Sequence, residues 1–292
     1  MLRNIAIFKK NILNISLAIF FALSLLAGVF YYLGQKSDDS ELAQYISHSQ
    51  KIILPIINTT SSITMDPTAV RVPILVYHSV RTYFPGETPI QKKFDVDPDI
   101  FAAQLRYLKI HGYSAITFDD LVKKFDGAAL PANPVIISFD DGWENQYEYA
   151  FPILEKENLK ATFFIYSNAI GHRAFLKWDQ VRELSNAGMT IGGHSKYHPY
   201  LWKITDPKRL SDEIISSKKI TESQIGKTLT VFAYPFGRYS TSTIEMVKLG
   251  GYRSARSGYA GAYHTKKDLF TLHSIQVGND IKNFAAALRM KK

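Results

Sequence analysis

The chain has 292 residues, of which 46% are hydrophobic and 13% aromatic, enough apolar material for one large or two small domains. This composition excludes a chain that is disordered throughout, and the absence of cysteine excludes a disulfide framework, a thiolate metal site and a cysteine nucleophile. The formal net charge of +9 is compatible with an anionic partner and equally with an ordinary basic surface.

The first predicted element is a hydrophobic helix at residues 13–33, about 21 residues without a charge and long enough to cross a bilayer. Arg3, Lys9 and Lys10 precede it and acidic residues follow it, which predicts a cytoplasmic tail at residues 1–12 and an extracytoplasmic remainder. The alternative is a cleaved signal peptide, whose apolar region is usually shorter and ends at small residues. We expect an uncleaved single-pass anchor in the cell membrane, and a secreted protein if the segment is cleaved.

Residues 34–70 are predicted to be a linker, because polar runs surround one apolar patch that is broken by Pro55. In residues 71–292, short apolar runs typical of buried strands alternate with patterns typical of helices. The predicted strands are Val72–Tyr77, Pro134–Phe139, Ala161–Tyr166, Met189–Ile191 and Thr230–Ala233. The predicted helices are one that Asp97 and Pro98 open and Gly112 ends, and Asp179–Ala187, Pro207–Ile225 and Thr241–Leu249. The alternation indicates an α/β fold, either a barrel or a doubly wound parallel sheet.

Polar residues follow three of these strands at their C-terminal ends. They are Asp140 and Asp141, then His194 and His198, and then Tyr234, Pro235 and Phe236. Each set alone is an ordinary turn or an ordinary pair of surface histidines. Because reactive groups of parallel α/β folds collect at the C-terminal ends of strands, we expect all three sets to face one pocket.

The residue types predict the chemistry of that pocket. Two imidazoles and one carboxylate form a three-ligand metal site with an open coordination position. A second carboxylate can then act as a general base on a water molecule, which favours hydrolysis over redox chemistry. No glycine-rich phosphate-binding motif follows any strand, so we expect no nucleotide cofactor, and we expect no nucleic-acid partner.

The strings ISFDDG, GGHSKYH and AYPFG resemble the NodB-type polysaccharide deacetylases, carbohydrate esterase family 4. VPILVYHSV at residues 72–80 and FLKWDQVREL at residues 175–184 are also similar to that family, and the resemblance covers residues 71–277 in family order. It implies an irregular (β/α) barrel and the metal-dependent removal of N- or O-acetyl groups from glycans. The YHSV opening resembles the branch that acts on poly-β-1,6-N-acetylglucosamine.

The resemblance also implies roles for individual residues. Asp141, His194 and His198 match the family's metal ligands, and Asp140 matches its catalytic base. We expect zinc, with cobalt and nickel as alternatives, because this ligand set suits several divalent ions. His273, in the string FTLH, resembles the family's general acid.

Further residues are carried over as supporting parts of the site. Ser195 matches the residue that supports the histidine loop, and Phe236, with Tyr234 and Pro235, matches the turn that forms the oxyanion hole and contacts substrate. His78 and Trp178 are candidate pocket residues, His78 because it follows a predicted strand.

The chain departs from the family pattern at two motifs. The third motif often begins with an arginine that orients the base, but Ala233 stands there, and Arg238 is a candidate replacement. The fourth motif has no match in residues 253–263, so its groove-forming tryptophan would have to be replaced by Trp178 or Trp202.

The expected function is the removal of N-acetyl groups from an extracellular or cell-wall polysaccharide by a membrane-anchored hydrolase. Two alternatives are an O-acetyl esterase acting on a xylan-like glycan and an inactive protein that binds glycan. The expected partners are the polysaccharide and, through the N-terminal helix, the membrane.

Overall fold

The computed structural model describes residues 66–289. The predicted anchor at residues 13–33 and most of the predicted linker lie outside the described residues. Within residues 66–289, no helix combines the length and the apolar character that a bilayer crossing requires. Nearly all of this part of the chain belongs to one compact unit that begins at Thr68.

The strands are short and are spread over the whole described region. They are β1 (Val70–Arg71), β2 (Ile74–Tyr77), β3 (Ser79–Val80), β4 (Asp95–Val96), β5 (Ser114–Ala115), β6 (Pro134–Phe139), β7 (Thr162–Ile165), β8 (Thr190–Gly193), β9 (Val231–Ala233), β10 (Ser254–Ala260), β11 (Tyr263–His264) and β12 (Leu272–Gln276).

The helices fill the connections between these strands. The α-helices are α1 (Pro89–Lys92), α2 (Pro98–Ile110), α3 (Phe118–Phe125), α4 (Phe151–Glu157), α5 (Trp178–Asn186), α6 (Pro207–Ser211), α7 (Ser217–Ile225), α8 (Thr241–Leu249) and α9 (Ile281–Ala287). Two π-helical turns, Gln146–Ala150 and Asp212–Ser216, run directly into α4 and α7, and three 3₁₀ turns cover Leu201–Lys203, Pro235–Gly237 and Lys266–Asp268.

Seven strands close into a parallel barrel, which confirms the predicted architecture. The sheet order is β2-β12-β10-β9-β8-β7-β6, and β6 pairs again with β2 to complete the ring, while β5 lies outside β6. Every pair in the ring is parallel. The C-terminal ends of all seven strands therefore open on the same face of the barrel.

Alternate residues of each barrel strand face the interior, as the period of two in a strand requires. Ile74, Ile136, Phe164 and Leu272 belong to four different strands and pack in one buried cluster. Residues of the opposite parity pack outside the barrel, in a second cluster that includes Leu75 and residues of α2 and α5. Residues two or four positions beyond these inward-facing residues have the same parity. They are therefore the residues expected to surround the C-terminal opening of the barrel.

Each predicted element has an observed counterpart whose bounds agree to within about two residues, with one exception. The predicted helix Pro207–Ile225 is helical throughout but is divided by the π turn Asp212–Ser216 into α6 and α7. Two barrel strands, β10 and β12, were not predicted. The interior positions of β10 are polar and charged and do not form an apolar run, and β12 has only two apolar residues among five. Other elements, including α3, α4 and α9, were not predicted either.

Candidate active site

A cavity of about 400 Å³ opens at the C-terminal ends of the barrel strands. Asp140 and Asp141 enter it from the end of β6, and His194 from the end of β8. His198 and Phe236 line it from the loops that follow β8 and β9. Residues of all three predicted sets thus reach one site, as expected for a parallel barrel.

Asp141, His194 and His198 form a compact group that can hold a metal ion. Each offers one ligand atom, and the three atoms lie within 4.8 Å of one another. Asp141 Oδ1 is 3.5 Å from His194 Nε2 and 3.4 Å from His198 Nε2. The donor set of two imidazole nitrogens and one carboxylate oxygen fits a divalent ion such as zinc, cobalt or nickel.

Neighbouring groups fix the orientation of these ligands. His194 Nδ1 lies 2.7 Å from the carbonyl oxygen of Ala233. Because a carbonyl oxygen can only accept, Nδ1 carries the proton and Nε2 turns its lone pair toward Asp141. The Trp143 indole N–H donates to Asp141 Oδ2 at 3.1 Å, which leaves Oδ1 for the histidines. Such partners of metal ligands fix tautomers and geometry.

The backbone of the ligand loops is unusual. Asp141, Ser195 and His198 have φ values of 75°, 71° and 57°, a left-handed conformation that costs about 1–2 kcal/mol for a residue with a side chain. Ser195 is buried, and its hydroxyl oxygen accepts the His198 backbone N–H at 2.9 Å. The supporting role expected for Ser195 therefore has a direct structural counterpart.

The protonation states of the group suit metal binding. Burial raises the pKa of Asp141, but in their protonated forms the imidazoles outweigh it, first His194 through a hydrogen bond and its charge and then His78 and His198, so the pKa falls below its usual range. Burial, followed by the charge of His194, lowers the pKa of His198 to about 4. At neutral pH Asp141 is a carboxylate and His198 a neutral imidazole, which are the forms that bind a metal.

Asp140 forms a buried ion pair with Arg256, which is 2% exposed. Nη2 of Arg256 lies 2.6 Å from Oδ1 and 2.5 Å from Oδ2 of Asp140. Burial raises the pKa of Asp140, but the charge of Arg256 and then of His194 outweighs it, so the pKa is lowered. Asp140 is therefore an ionised carboxylate with a fixed orientation, as a general base must be.

Arg256, not Arg238, takes the place of the arginine that the third motif lacks. In the β9–β10 ladder Arg256 is the direct partner of Ala233. The guanidinium therefore enters the barrel from the strand next to the expected one, at the same level. Arg238 was considered as a replacement, but its guanidinium lies over the Trp202 ring, 5.7 Å from the ring centre.

His78 lines the cavity on the other side of Asp140. Its Nε2 lies 3.9 Å from Asp140 Oδ2, and its ring packs on Phe94 with the ring centres 4.8 Å apart. Gln276 Nε2 donates to His78 Nδ1 at 3.4 Å, which leaves Nε2 to carry the proton of the neutral ring. Buried Gln146 donates to the backbone carbonyls of His78 and Asp140 at 2.6 and 2.5 Å, which ties the two residues together.

The side chains of four predicted site residues do not line this cavity. His273 has the parity of the outward-facing residues on β12, and its ring lies 6.2 Å from that of His264, whereas Ser274 and Gln276 face the cavity. Trp178 starts α5 and packs against the core outside the barrel. The Tyr234 hydroxyl donates to the carbonyl of Phe270 at 3.0 Å, among the residues packed behind β9.

Pro235 is buried beside Tyr234, and of this turn only Phe236 and Gly237 line the cavity. Phe236 has φ 58° and is 53% exposed, with its ring centre 4.7 Å from that of His198. Gly237 has φ 69°, and a Cβ there would lie 2.4 Å from the Cα of Gly258. The turn is therefore pressed against β10, which fixes Phe236 at the cavity rim.

Phe236 belongs to an aromatic surface made of exposed Tyr200, half-buried Trp202 and exposed Phe236. The ring centre of Tyr200 lies 4.4 Å from that of Phe236 and 5.0 Å from that of Trp202. Of the two tryptophans that were candidates for a groove, the structure brings Trp202 next to the cavity rim through this surface.

Sequence reasoning missed Arg256, Gln146, Trp143 and Gln276 as parts of the site. Trp143 could have been found, since only Gly142 separates it from the paired acids. Arg256 gave one weak signal, a charge among the small residues Ser254, Ala255 and Ser257, five positions after Gly251. Gln146 acts through backbone atoms of distant residues, for which no sequence pattern exists.

Comparison with known proteins gives one consistent result. Residues 127–255 match the family model described as polysaccharide deacetylase. The chain is 29% identical over 208 residues to YxkH of Bacillus subtilis, which covers 71% of each chain. It is 28% identical over 228 residues to the poly-β-1,6-N-acetyl-D-glucosamine N-deacetylase of Staphylococcus epidermidis, covering 70% of this chain and 78% of the relative.

A solved structure agrees with these matches. The Streptococcus pyogenes deacetylase PplD, in complex with acetate, superposes with a TM-score of 0.71 at 28% identity. The match covers 76% of this chain and all of that one. Sequence, fold and the arrangement of the cavity point the same way: the chain contains a polysaccharide deacetylase domain of the NodB type, the domain of a family of enzymes.

Proposed function

We propose that this protein removes N-acetyl groups from an extracellular or cell-wall polysaccharide that contains N-acetylglucosamine. One observation carries the proposal: the metal-capable group of Asp141, His194 and His198 lies in an open cavity beside an ionised carboxylate, Asp140, that a buried arginine holds. These are the parts that hydrolysis of an unactivated amide requires.

Asp141, His194 and His198 would hold the divalent ion, for which zinc is the first candidate. When bound, such an ion acidifies a water molecule and polarises the acetyl carbonyl. The three residues supply one negative charge between them, so they would leave a bound divalent ion with a net positive charge.

Asp140 acts as the general base. It takes a proton from the water that attacks the acetyl carbon, and Arg256 keeps both carboxylate oxygens in place while this happens. Because Arg256 lowers the pKa of Asp140, the carboxylate is ready to accept a proton at neutral pH without prior ionisation.

His78 gives a proton to the departing sugar nitrogen. The proposal rests on its position at the cavity wall and on the 3.9 Å between Nε2 and Asp140 Oδ2. The ring donates as an imidazolium through Nε2 and returns to the neutral form, and the proton that Asp140 takes from the water restores the imidazolium across that distance. The sugar nitrogen can leave only as a neutral amine, so a proton donor is required on this side of the cavity. His273, the residue expected for this role, faces away from the cavity.

The rim of the cavity provides the contacts to the rest of the substrate. The backbone N–H of Phe236 is the candidate donor to the carbonyl oxygen as it gains negative charge. The exposed rings of Tyr200 and Phe236 and the half-buried ring of Trp202 form an apolar surface at the cavity rim, and exposed apolar surfaces of this kind mark binding sites. We assign this surface to the sugars adjacent to the reacting one.

A poly-β-1,6-N-acetylglucosamine chain is the first candidate substrate. The Staphylococcus epidermidis relative, whose name states that substrate, aligns over 70% of this chain. The O-acetyl esterase remains as the alternative, since the same arrangement attacks an ester.

We also propose that the N-terminal segment anchors the enzyme in the cell membrane with the catalytic domain outside the cytoplasm. The support is the uncharged stretch at residues 13–33 and the flanking charges. N-terminal sequencing of the membrane-bound protein tests this. A mature N-terminus after residue 27 would instead establish cleavage and secretion.

A substrate panel tests the proposed activity. The purified full-length protein, loaded with Zn²⁺, is assayed on β-1,6 and β-1,4 oligomers of N-acetylglucosamine, on peptidoglycan and on acetylated xylan. Release of free amine from any of the first three supports the proposal. Acetate release from xylan alone would identify an esterase, and inactivity on every substrate in the presence of bound metal would contradict both.

A further inference from the structure

The loop of residues 194–198 carries two of the three metal-capable ligands and has a strained backbone. Ser195 and His198 have φ values of 71° and 57°. Non-glycine residues stay in this conformation only when the surrounding structure holds them there. The Ser195 hydroxyl stabilises this conformation from within the loop. Contacts from outside the loop are needed to fix its position on the barrel.

Glu213 stabilises the loop through hydrogen bonds from outside it. Its Oε2 accepts the backbone N–H of Lys196 at 3.1 Å and that of Tyr197 at 2.9 Å. The two amides lie between His194 and His198 in the chain, so one carboxylate oxygen fastens the middle of the segment that joins the two ligands. Ser217 adds a second contact from the same side, since its hydroxyl donates to the Ser195 carbonyl at 2.7 Å.

The position of Glu213 in the fold is as specific as its contacts. It is 4% exposed, and it lies in the π turn Asp212–Ser216 that interrupts the helix between α6 and α7. A π turn adds one residue to a helical turn and is frequent at functional sites. A buried carboxylate is costly unless it is hydrogen-bonded, and the two amides that Glu213 binds supply those hydrogen bonds.

We propose that Glu213 is a positioning residue of the active site. It holds the amides of Lys196 and Tyr197 so that His194 and His198 stay at the spacing required for metal binding. This inference rests on the proposed metal-dependent function. Removing the carboxylate leaves the amides of Lys196 and Tyr197 without this acceptor and weakens the support of a strained loop, so the cost falls on the metal ligands rather than on the fold as a whole.

The test measures Zn²⁺ affinity by chelator competition on the full-length protein. Glu213→Ala is expected to weaken Zn²⁺ binding about 10–100-fold, the range typical for residues that orient metal ligands. Glu213→Gln keeps one oxygen that can accept both amides, so its affinity is expected to stay within about threefold of wild type. Hydrogen exchange of the amides in residues 194–198, measured without metal, is expected to be faster in Glu213→Ala and near normal in Glu213→Gln.

Two neighbouring residues provide matched controls. Asp212→Asn removes the adjacent carboxylate, which contacts the ammonium group of Lys196 at the surface and not the loop backbone. Ile214→Ala destabilises the same helix through the core, since Ile214 is fully buried. Both variants are expected to keep wild-type Zn²⁺ affinity, Ile214→Ala at a lowered melting temperature.

The outcomes separate this inference from the proposed function. Wild-type Zn²⁺ affinity and exchange rates in Glu213→Ala, or equal losses in Glu213→Ala and Ile214→Ala, would overturn the positioning role alone. A Glu213→Gln variant as weak as Glu213→Ala would overturn it too. A wild-type protein that binds no Zn²⁺ would overturn both the positioning role and the proposed function.

Discussion

Arg256 holds the two carboxylate oxygens of Asp140 from the strand position directly opposite Ala233. The family resemblance expected an arginine at position 233, so the same charge reaches the same carboxylate from the neighbouring strand. Both positions face the barrel interior at one level, because partners in a parallel ladder lie side by side. The chemistry requires a guanidinium beside the base, and an arginine on either β9 or β10 can place one there.

We predict that Arg256→Gln moves the acidic limb of the kcat/KM profile to higher pH. Asp140 has a lowered pKa, so it is ionised, and active as a base, at all pH values above that pKa. Without Arg256, burial dominates and raises the pKa, so activity is lost sooner as the pH falls. An arginine neighbour typically lowers a carboxyl pKa by about 1–3 units, which sets the expected displacement of the limb.

Arg238→Gln is the control for that experiment. It removes an exposed cation near the same rim that contacts Trp202 rather than Asp140, so the limb is expected to stay in place. Because Arg256→Gln leaves a buried carboxylate unpaired, its folded fraction is checked by urea unfolding, with a loss of about 3–5 kcal/mol expected. An unmoved limb in a folded Arg256→Gln variant would show that another group sets the ionisation of Asp140.

The two adjacent acids are predicted to fail in different ways. Asp140→Asn should lose turnover by about 10²–10⁴-fold and keep its metal, because the base is gone but the ligand group is intact. Asp141→Asn should lose metal as well as turnover, because it removes a ligand that both histidines face. Metal analysis and turnover measured on the same samples decide this. The reverse pattern would exchange the roles of the two residues.

Each histidine ligand is predicted to be necessary for metal binding. His194→Ala or His198→Ala leaves two of three protein ligands, so metal content and activity should fall together. Metal content is measured after dialysis against a fixed free Zn²⁺ concentration. His111→Ala, which changes an exposed histidine at the end of α2, should keep both. Full occupancy in both ligand variants would place the metal elsewhere.

The sequence predicted the parts of the fold that depend on continuous apolar runs. Strands β2, β6 and β7 are buried on both faces and therefore read as unbroken hydrophobic segments. Asp140 and Asp141 directly follow β6, so the fold class and the positions of these two residues come from one local pattern.

Other parts of the site depend on register, which a sequence pattern does not fix. Arg256 lies inside β10, where a charged residue argues against a buried strand, and its partner Asp140 is 116 positions away. His273 was placed in the site by a short motif, but a strand turns alternate side chains to opposite faces, so one position decides between the cavity and the outside. Its neighbours Leu272 and Ser274 have the inward parity.

We predict that His78 and His273 can be told apart by substitution. His78→Gln should lower kcat about 10²–10⁴-fold, because the candidate donor to the departing nitrogen is lost. His273→Gln should stay within a few-fold of wild type, because the residue does not line the cavity. The measurement is kcat on an N-acetylglucosamine oligomer, with metal content checked in each variant. A large loss in His273→Gln with normal folding would restore the original expectation.

The last prediction concerns Gly237, next to Phe236 at the cavity rim. Gly237→Ala should destabilise the protein by about 2–5 kcal/mol, because a Cβ would meet the Gly258 backbone and because alanine resists a positive φ. The Cα of Gly258 is part of β10 and has no rotamer by which to move aside. The turn must shift instead, which displaces the Phe236 N–H and ring, so kcat/KM should also fall. Urea unfolding and kcat/KM are the two measurements.

Gly226→Ala is the matched control, because Gly226 has nearly the same backbone angle, φ 67°, but no atom within 4 Å of its Cβ position. It ends α7 at the surface, so only the cost of the left-handed backbone remains, about 1 kcal/mol. Its activity should be normal. The difference between the two variants therefore isolates the contact between Gly237 and Gly258. Equal destabilisation in both, with activity retained in Gly237→Ala, would show that the turn at Phe236 tolerates displacement and that its backbone N–H has no part in the reaction.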